Sequence, residues 1–429
     1  MRILSCGRAT LVALAIIAAV PAKATSFYLA EQSIRAAGHA FSGEATDQGS
    51  DMLWWNPASI AGSPRTHAAI GAALILPDAN VRDAGTRIQR PGQPAAPVGG
   101  DLTPGNPAKK GILPSASIAV PLNDRITVGI ALSSPFSLTT DYEADSWTRY
   151  IADKTKLITI DVQPSIGIKL TEQFRVGAGL NIEYADATLQ KRLPNVLATL
   201  PDGSQALKGN ALDLGFSAGA QYVGERVSLG LSYKSAIKHK FGGDITISGL
   251  LGPLANSNTK FDTTATFMTP WQIIGAVRVK ATDALTLNAQ ISRFGWAKFD
   301  RIRLAVPPGA FVPEDYRDTW TVAAGFDYQI NPEITVRGGA YRDQTPTQDG
   351  RRDPNVPDGN RTAIAAGAST KLNETITLDA AAEYILFDKE SVDRQAIAFE
   401  GTPVATSILT NGTTDARAIV FGVGARFAF

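Results

Sequence analysis

From Thr66 to the C-terminus, apolar and polar residues alternate with a period of two over segments of about ten residues or more, the length of a tilted strand that crosses a bilayer. In Leu157–Leu170, Ile158, Ile160, Val162, Ile166, Ile168 and Leu170 share one face, while Thr159, Asp161, Gln163, Ser165, Gly167 and Lys169 share the other. Trp320, Val322, Ala324, Phe326, Tyr328 and Ile330 alternate in the same way, as do Ile419, Phe421, Val423, Ala425, Phe427 and Phe429 at the end of the chain. The pattern predicts fourteen strands, near 66–76, 112–121, 125–137, 156–170, 174–189, 209–223, 226–240, 265–280, 284–299, 317–330, 333–344, 361–371, 375–388 and 416–429.

Soluble sandwiches also alternate, so the connections carry the argument. Short turns such as Leu122-Asn123-Asp124, Val223-Gly224-Glu225 and Lys371-Leu372-Asn373 follow the even strands from the second to the twelfth. Long loops follow every odd one, near 77–111, 138–155, 190–208, 241–264, 300–316, 345–360 and 389–415. An even strand count, short turns on one side and long loops on the other are the plan of an outer-membrane barrel, which leaves no unpaired edge in lipid. The expected fold is therefore an all-β, 14-stranded antiparallel transmembrane β-barrel over residues 66–429, with both ends periplasmic. Its apolar face meets lipid. Its lumen carries Asp161, Lys169, Arg175, Glu183, Asp213, Arg278, Asp327, Arg337, Asp379 and Glu383, whose mixed signs favour internal ion pairing over a selectivity ring. Phe294 and Trp296 fall on the parity opposite to Leu285, Leu287, Ala289 and Ile291. Either a bulge turns them out into an aromatic girdle, the preferred reading, or they line an apolar pocket inside.

The first 24 residues differ. Arg2 and Arg8 precede an apolar run, Ala9 to Val20, and Ala22-Lys23-Ala24 forms a cleavage site, so residues 1–24 are expected to be a signal peptide. Beyond it no apolar run reaches the ~18 residues of a membrane helix. The formal charge of +1 includes Arg2, Arg8 and Lys23; without those three it is −2. Nothing there attracts nucleic acid. The single cysteine, Cys6, lies in the leader, which leaves no disulfide framework or thiol nucleophile. His39, His67 and His239 are scattered, so neither a nucleophile–base pair nor a metal cluster is expected, and no cofactor.

Residues 25–65 form no strands. They are rich in small residues and turn formers, and are expected to fold into the lumen as an N-terminal hatch. Phe41-Ser42-Gly43-Glu44 followed by Asn56-Pro57-Ala58 resembles the N-terminal hatch of the FadL family, outer-membrane transporters of long-chain fatty acids and other hydrophobic compounds. The resemblance continues through Pro135-Phe136-Ser137-Leu138-Thr139-Thr140, Trp147-Thr148-Arg149-Tyr150, Gln163-Pro164-Ser165-Ile166-Gly167, Tyr184-Ala185-Asp186-Ala187 and Tyr316-Arg317-Asp318-Thr319-Trp320. It implies a monomeric barrel plugged by its hatch, a kinked third strand that opens the wall, and ligand exit through that opening. It also implies that Phe27 and Tyr28 reach the ligand pocket and gate it. Phe429, ending an amphipathic strand, resembles the signal read by barrel-assembly machinery.

An apolar solute must pass a polar lipopolysaccharide surface, and burial favours it by ~25 cal/mol per Å². A route of apolar sites serves better than a water-filled pore. The family's outer groove lies between the third and fourth long loops. Here these hold Leu193, Val196, Leu197 and Leu200 at helical spacing, and Ile247, Leu250, Leu251 and Leu254. Such exposed clusters mark binding surfaces, unless the loops pack only on one another. Ser133-Ser134-Pro135 is the expected kink, because proline cannot donate to the ladder. Arg149, Lys191, Arg192 and Arg337 are the candidates for a ligand carboxylate. The competing reading is a general diffusion porin for polar solutes.

Overall fold

The computed structural model describes residues 27–306 and 309–429; the leader expected at 1–24 lies outside them. Fourteen antiparallel strands form a closed wall. They are β1 His67–Asp83, β2 Gly111–Pro121, β3 Ile126–Ser133 with Ser137–Asp141, β4 Lys154–Lys169, β5 Phe174–Leu193, β6 Gly203–Val223, β7 Val227–Lys234 with Lys238–Ser248, β8 Thr259–Met268 with Gln272–Lys280, β9 Leu285–Phe294, β10 Thr319–Gln329, β11 Ile334–Asp343, β12 Arg361–Lys371, β13 Ile376–Phe387 and β14 Thr406–Ala428. β1 pairs with β14 from His67↔Ala428 to Asp83↔Gly412, which closes the ring and removes the edges.

Period-two patterning sorts the two faces. On β6, Leu212, Leu214 and Phe216 are 67%, 64% and 54% exposed to the outside, whereas Ala211, Ser217 and Gln221 are buried within. Five short turns repeat one device: a side-chain oxygen accepts backbone N–H groups two and three residues on. Asn123, Asn331 and Asn373 do this with an amide oxygen, Thr171 and Thr282 with a hydroxyl. The side chain takes the place of a turn carbonyl, so each hairpin is fixed locally.

The strands expected from periodicity stop too early at the outer end. β1, β5, β6, β7, β8 and β14 continue as paired strands through segments expected to be loop, so the third and fourth outer loops shrink to 194–202 and 249–258. Outside lipid no apolar face is required, so the ladder persists where the alternation fades. The expected helical spacing from Leu193 to Leu200 is overturned. Leu193 ends β5, and the residues after it are turn and bend. The girdle reading of Phe294 and Trp296 is also overturned. On β9, Asn288, Gln290, Ser292 and Phe294 all face inward, so no bulge is needed; a 3-10 turn at Trp296–Lys298 then carries Trp296 into the lumen.

Residues 27–61 lie inside the barrel. They comprise a short helix α1, Ile34–Gly38, and single 3-10 turns at Ser50–Met52 and Pro57–Ile60, and almost all of their side chains are buried. The wall admits them where its inner face carries glycine. A Cβ at Gly219 would come within 1.7 Å of Asn56 Oδ1, and one at Gly230 within 2.0 Å of the Ala45 carbonyl.

Candidate functional site: the wall break and the lumen beside it

The register identifies the break in β3. Ser133 pairs with Asp161 on β4 and Ser137 with Ile158, so β3 takes four steps where β4 takes three. One extra residue bulges from the ladder at Ser134-Pro135-Phe136. The backbone left unpaired is taken up by the hatch. Leu29 N–H donates to the Pro135 carbonyl at 2.8 Å, Ser137 N–H donates to the Phe27 carbonyl at 2.8 Å, and Tyr28 bridges Phe136. Gln32 completes the seal, accepting from Ser134 N–H at 3.0 Å and donating to the Ser134 carbonyl at 3.0 Å. Residues 27–29 thus stand in for a missing stretch of strand. Gln32 was not among the expected residues; in sequence it is one polar residue in a turn-rich segment, without periodic signal.

Phe27 sits in an aromatic cage. Its ring centroid lies 4.9 Å from Trp296, 5.2 Å from Phe299 and 5.9 Å from Phe136. Tyr28 stacks in the same cluster, 4.8 Å from Phe294 and 6.5 Å from Trp54. Below lies a cavity walled by Tyr28, Trp54, Pro135, Phe136, Ile237 and Phe294. A second, more apolar cavity lies nearer the outer loops, lined by Ala187, Leu189, Leu207, Phe241, Phe267 and Ile302.

Charged side chains also line this route, Asp161, Glu183 and Lys234 in the lower cavity and Lys208 in the upper, and most of the other charges nearby are paired. Arg149 binds Asp202 at 3.1 Å and the carbonyls of Val98, Gly99, Asp145 and Ser146. Arg192 pairs with Asp153 at 3.0 Å. Arg337 is held under the hatch by Asp327 at 2.6 Å and Ser369. The structure does not bring these three to one place. Lys191 differs: it is half-buried on the inward parity of β5, two residues beyond Leu189 of the upper cavity. The expected lumenal charges mostly pair. Arg278 bridges Asp47 and Asp327, Asp379 holds Arg426 at 2.7 Å, and Glu183 meets His239 at 3.0 Å.

The hatch is fixed by polar contacts along its length. Asn56 Oδ1 accepts from Ala58 N–H at 3.0 Å, which caps the turn at Pro57, and Asn56 Nδ2 donates to the Ala45 carbonyl at 2.7 Å. Trp54 Nε1 donates to Asp161 at 2.8 Å, and Arg35 pairs with Asp51 at 2.8 Å. Gly43 accepts from Thr46 and Asp47 N–H. Burial pushes the Tyr28 hydroxyl and the Glu44 carboxyl up, Glu44 to about 8, and pushes His39 down to about 3.

Outside, the two apolar loops largely pack on one another. Leu193, Leu250 and Leu254 are buried together, with Val196, Ile247, Phe399 and Val404 around them. Leu197 and Leu251 remain 54% and 40% exposed, and Leu200 is half-buried. Asn195, unforeseen in the sequence, ties the loops: it donates to the Pro201 and Gly249 carbonyls and accepts from Leu251 N–H.

The profile described as "Outer membrane protein transport protein (OMPP1/FadL/TodX)" matches residues 15–429. The chain belongs to this family. It is 26% identical over 452 residues to the long-chain fatty acid transport protein of Escherichia coli O6:H1, covering 94% of each chain. It is 26% identical over 445 residues to the 47 kDa outer membrane protein of Pasteurella multocida, covering 97% of each. Among solved structures, a Pseudomonas aeruginosa FadL homologue superposes with a TM-score of 0.82 at 22% identity, over 94% of this chain and 100% of that one. The Ralstonia pickettii toluene transporter TbuX superposes with a TM-score of 0.64 at 17% identity, over 91% and 97%. These structural likenesses bear on the fold. The OMPP1/FadL/TodX protein described here is an outer-membrane transport protein of Gram-negative type, and its family is one of transporters, not enzymes.

Proposed function

We propose that the protein takes up hydrophobic molecules, of the class of long-chain fatty acids, across the outer membrane. Ligand is captured by the exposed Leu197 and Leu251 with Leu193, Val196, Leu200, Leu250 and Leu254 beneath them. It passes the upper cavity into the aromatic-lined space, displaces Phe27 and Tyr28, and leaves sideways at Ser133-Ser134-Pro135. The observation that carries this reading is the extra residue in β3, filled by detachable backbone of the hatch and opening onto an aromatic cavity. Movement of the segment anchored by Gly43, Asn56, Pro57 and Ala58 would free it. Relatives named for long-chain fatty acid transport and neighbours named for toluene transport support the ligand class at its two extremes. Of the four cations, Lys191 best suits a ligand carboxylate, because Arg149, Arg192 and Arg337 are held by acids. A lumen filled by residues 27–61 supports this reading over a porin for polar solutes.

The test is uptake in a strain lacking the gene, with and without the protein, using labelled oleate and labelled toluene. Protein-dependent uptake of either supports the reading. Dependence of neither overturns it. Loss of the oleate component alone in Lys191→Gln assigns the head-group contact.

A further inference from the structure

The break in β3 is not the sole place where the wall ladder stops. The β8–β9 ladder runs from Lys280↔Thr286 up to Gln272↔Phe294. β8 continues outward, but the chain after β9 turns into the lumen with Trp296 and Phe299, and next meets β8 at Thr266↔Arg303 and Ala265↔Leu304. Between these points one backbone bond crosses, from Gly295 N–H to the Trp271 carbonyl at 2.8 Å. On the other side of β8, β7 is interrupted at the same level. Lys234 pairs with Ser217 and Gly242 with Asn210, eight steps against seven, so β7 too carries one extra residue relative to β6.

What lies behind the gap matters most. Thr269 and Pro270 of β8, and Ser235 and Ile237 of β7, line the same cavity that Pro135 and Phe136 line from the opposite wall. The cavity beside the hatch therefore touches the wall twice. On the outer face the gap is covered by a side chain. Gln272 and Ile274 point inward and Ile273 is 41% exposed to lipid, so Trp271 has outward parity. Its indole lies flat over Gly295, where an added Cβ would come within 1.9 Å of Nε1. Glycine at 295 is what lets the ring close down on the wall.

We propose a second lateral opening, between β8 and β9, for which Trp271 is the shutter. Hydrophobic ligand in the cavity reaches the outer leaflet by rotation of one side chain, without movement of the hatch. The inference rests on the reading that this cavity carries hydrophobic ligand. The physical basis is that a single backbone bond crosses here and the covering group is a half-buried side chain: a rotamer change is far faster than local unfolding of backbone. On that face Ile273 is exposed to lipid beside the Arg293–Asp318 ion pair, and proline at 270 holds the local backbone off the ladder.

The test uses oleate and toluene uptake by whole cells, with outer-membrane abundance and heat-modifiable mobility as controls of assembly. Trp271→Ala is expected to raise the initial rate at least twofold over wild type, and Trp271→Phe to leave it near wild type. In a second background, deletion of Pro135 removes the extra residue of β3 and restores one-to-one pairing with β4. There Trp271→Ala is expected to raise the residual rate at least threefold. Unchanged uptake on Trp271→Ala overturns the proposal, and if the deletion variant fails to assemble, the first arm decides alone. A parallel rise in entry of a hydrophilic dye would show a water leak and would also overturn it. Uptake no higher in wild type than in the strain without the protein instead defeats the transport reading, and this inference falls with it.

Discussion

Two of the interruptions in the wall carry a proline, Pro135 in β3 and Pro270 at the break of β8, yet they are closed by different means. At β3 the unpaired carbonyl and amide are satisfied by the backbone of residues 27–29, so closure is a short surrogate strand tied to the whole hatch. At β8 a single indole covers the gap, and the displaced chain fills the inside with Trp296 and Phe299. The difference is one of coupling. Opening the first requires hydrogen bonds to part and the hatch to shift; opening the second requires a rotamer. In a bilayer, where unpaired backbone groups cost several kcal/mol each, only the first is expected to be a strongly gated step.

Deleting Pro135 attacks the first closure at its source. With a continuous ladder, Phe27 and Leu29 of the hatch lose their backbone partners in β3, and lateral exit at β3 is shut. Protein-dependent oleate uptake is expected to fall about tenfold, a barrier increase of about 1.4 kcal/mol. A rate within a factor of two of wild type, in protein assembled to normal abundance, would mean that β3 is not the principal exit.

Gly230→Ala asks how far the first closure depends on the seat of the hatch. The new methyl would lie 2.0 Å from the Ala45 carbonyl, so residues 43–47 must move, and their bonds to Asn56 and Gln221 with them. The loss of one or two buried hydrogen bonds amounts to about 1–3 kcal/mol of hatch docking. Hydrogen exchange of amides in 27–60 is expected to accelerate tenfold or more. Gly275→Ala is the control, since the nearest atom to its new methyl is Ile291 Cγ2 at 3.9 Å. It should leave both exchange and the Trp271 closure unchanged.

The fold was largely legible because lipid enforces it. Residues such as Leu212, Leu214 and Phe216 must face hydrocarbon, so alternation on β6 marks the strand and its outer face, and Asn123 or Asn373 turns follow from local chemistry. Above the lipid that constraint ends, which is why the outer ends of β5, β6 and β7 read as loop. The interior was legible only in part. Glycine at 219 and 230 is ordinary in a strand until the hatch carbonyls opposite are known. Phe294 and Trp296 are compatible with either side of the wall until the chain turns inward at Gly295. Pro135 could be read as a break from one residue; the extra step at β7 could not, because Ser235-Ala236-Ile237 contains no breaker and the register mismatch exists only between strands.

Glu44 makes the first closure pH-dependent. Its carboxyl is pushed up to about 8 from its ordinary 4.5, chiefly by burial, so the docked hatch holds a proton that a released hatch would lose. Stability from this group is full below 4.5, declines as pH rises from 4.5 to 8, and is flat above. His39, pushed down to about 3 from 6.5, works in the opposite sense: its contribution is full above 6.5 and is lost as pH falls towards 3. The slopes of these two oppose one another between 4.5 and 6.5, and between 6.5 and 8 Glu44 acts without His39; Glu31, also pushed up by burial, works in the same sense as Glu44. Exchange protection of the hatch is therefore expected to weaken from pH 6.5 to 8 in wild type, beyond the intrinsic base catalysis of exchange, and less steeply in Glu44→Gln. Equal slopes in the two proteins would remove Glu44 from the account.

The smallest effect separates the two closures most cleanly. Ala40 and Phe41, which reverse the chain after α1, both have left-handed backbone, with φ of 57° and 54°. Phe41 N–H closes the turn on the Ala36 carbonyl at 2.9 Å, a helix ending normally built on glycine. Ala40→Gly removes about 1 kcal/mol of strain while keeping every hydrogen bond, because glycine adopts this conformation freely. The hatch should become harder to displace: exchange of its amides slows about fivefold, and hydrophobic uptake through β3 slows modestly. The effect of Trp271→Ala on uptake should be the same in this background as in wild type, since that shutter shares no bond with the hatch. A smaller effect of Trp271→Ala when Ala40 is glycine would mean that the indole and the hatch move together, and that the wall has one gate with two faces.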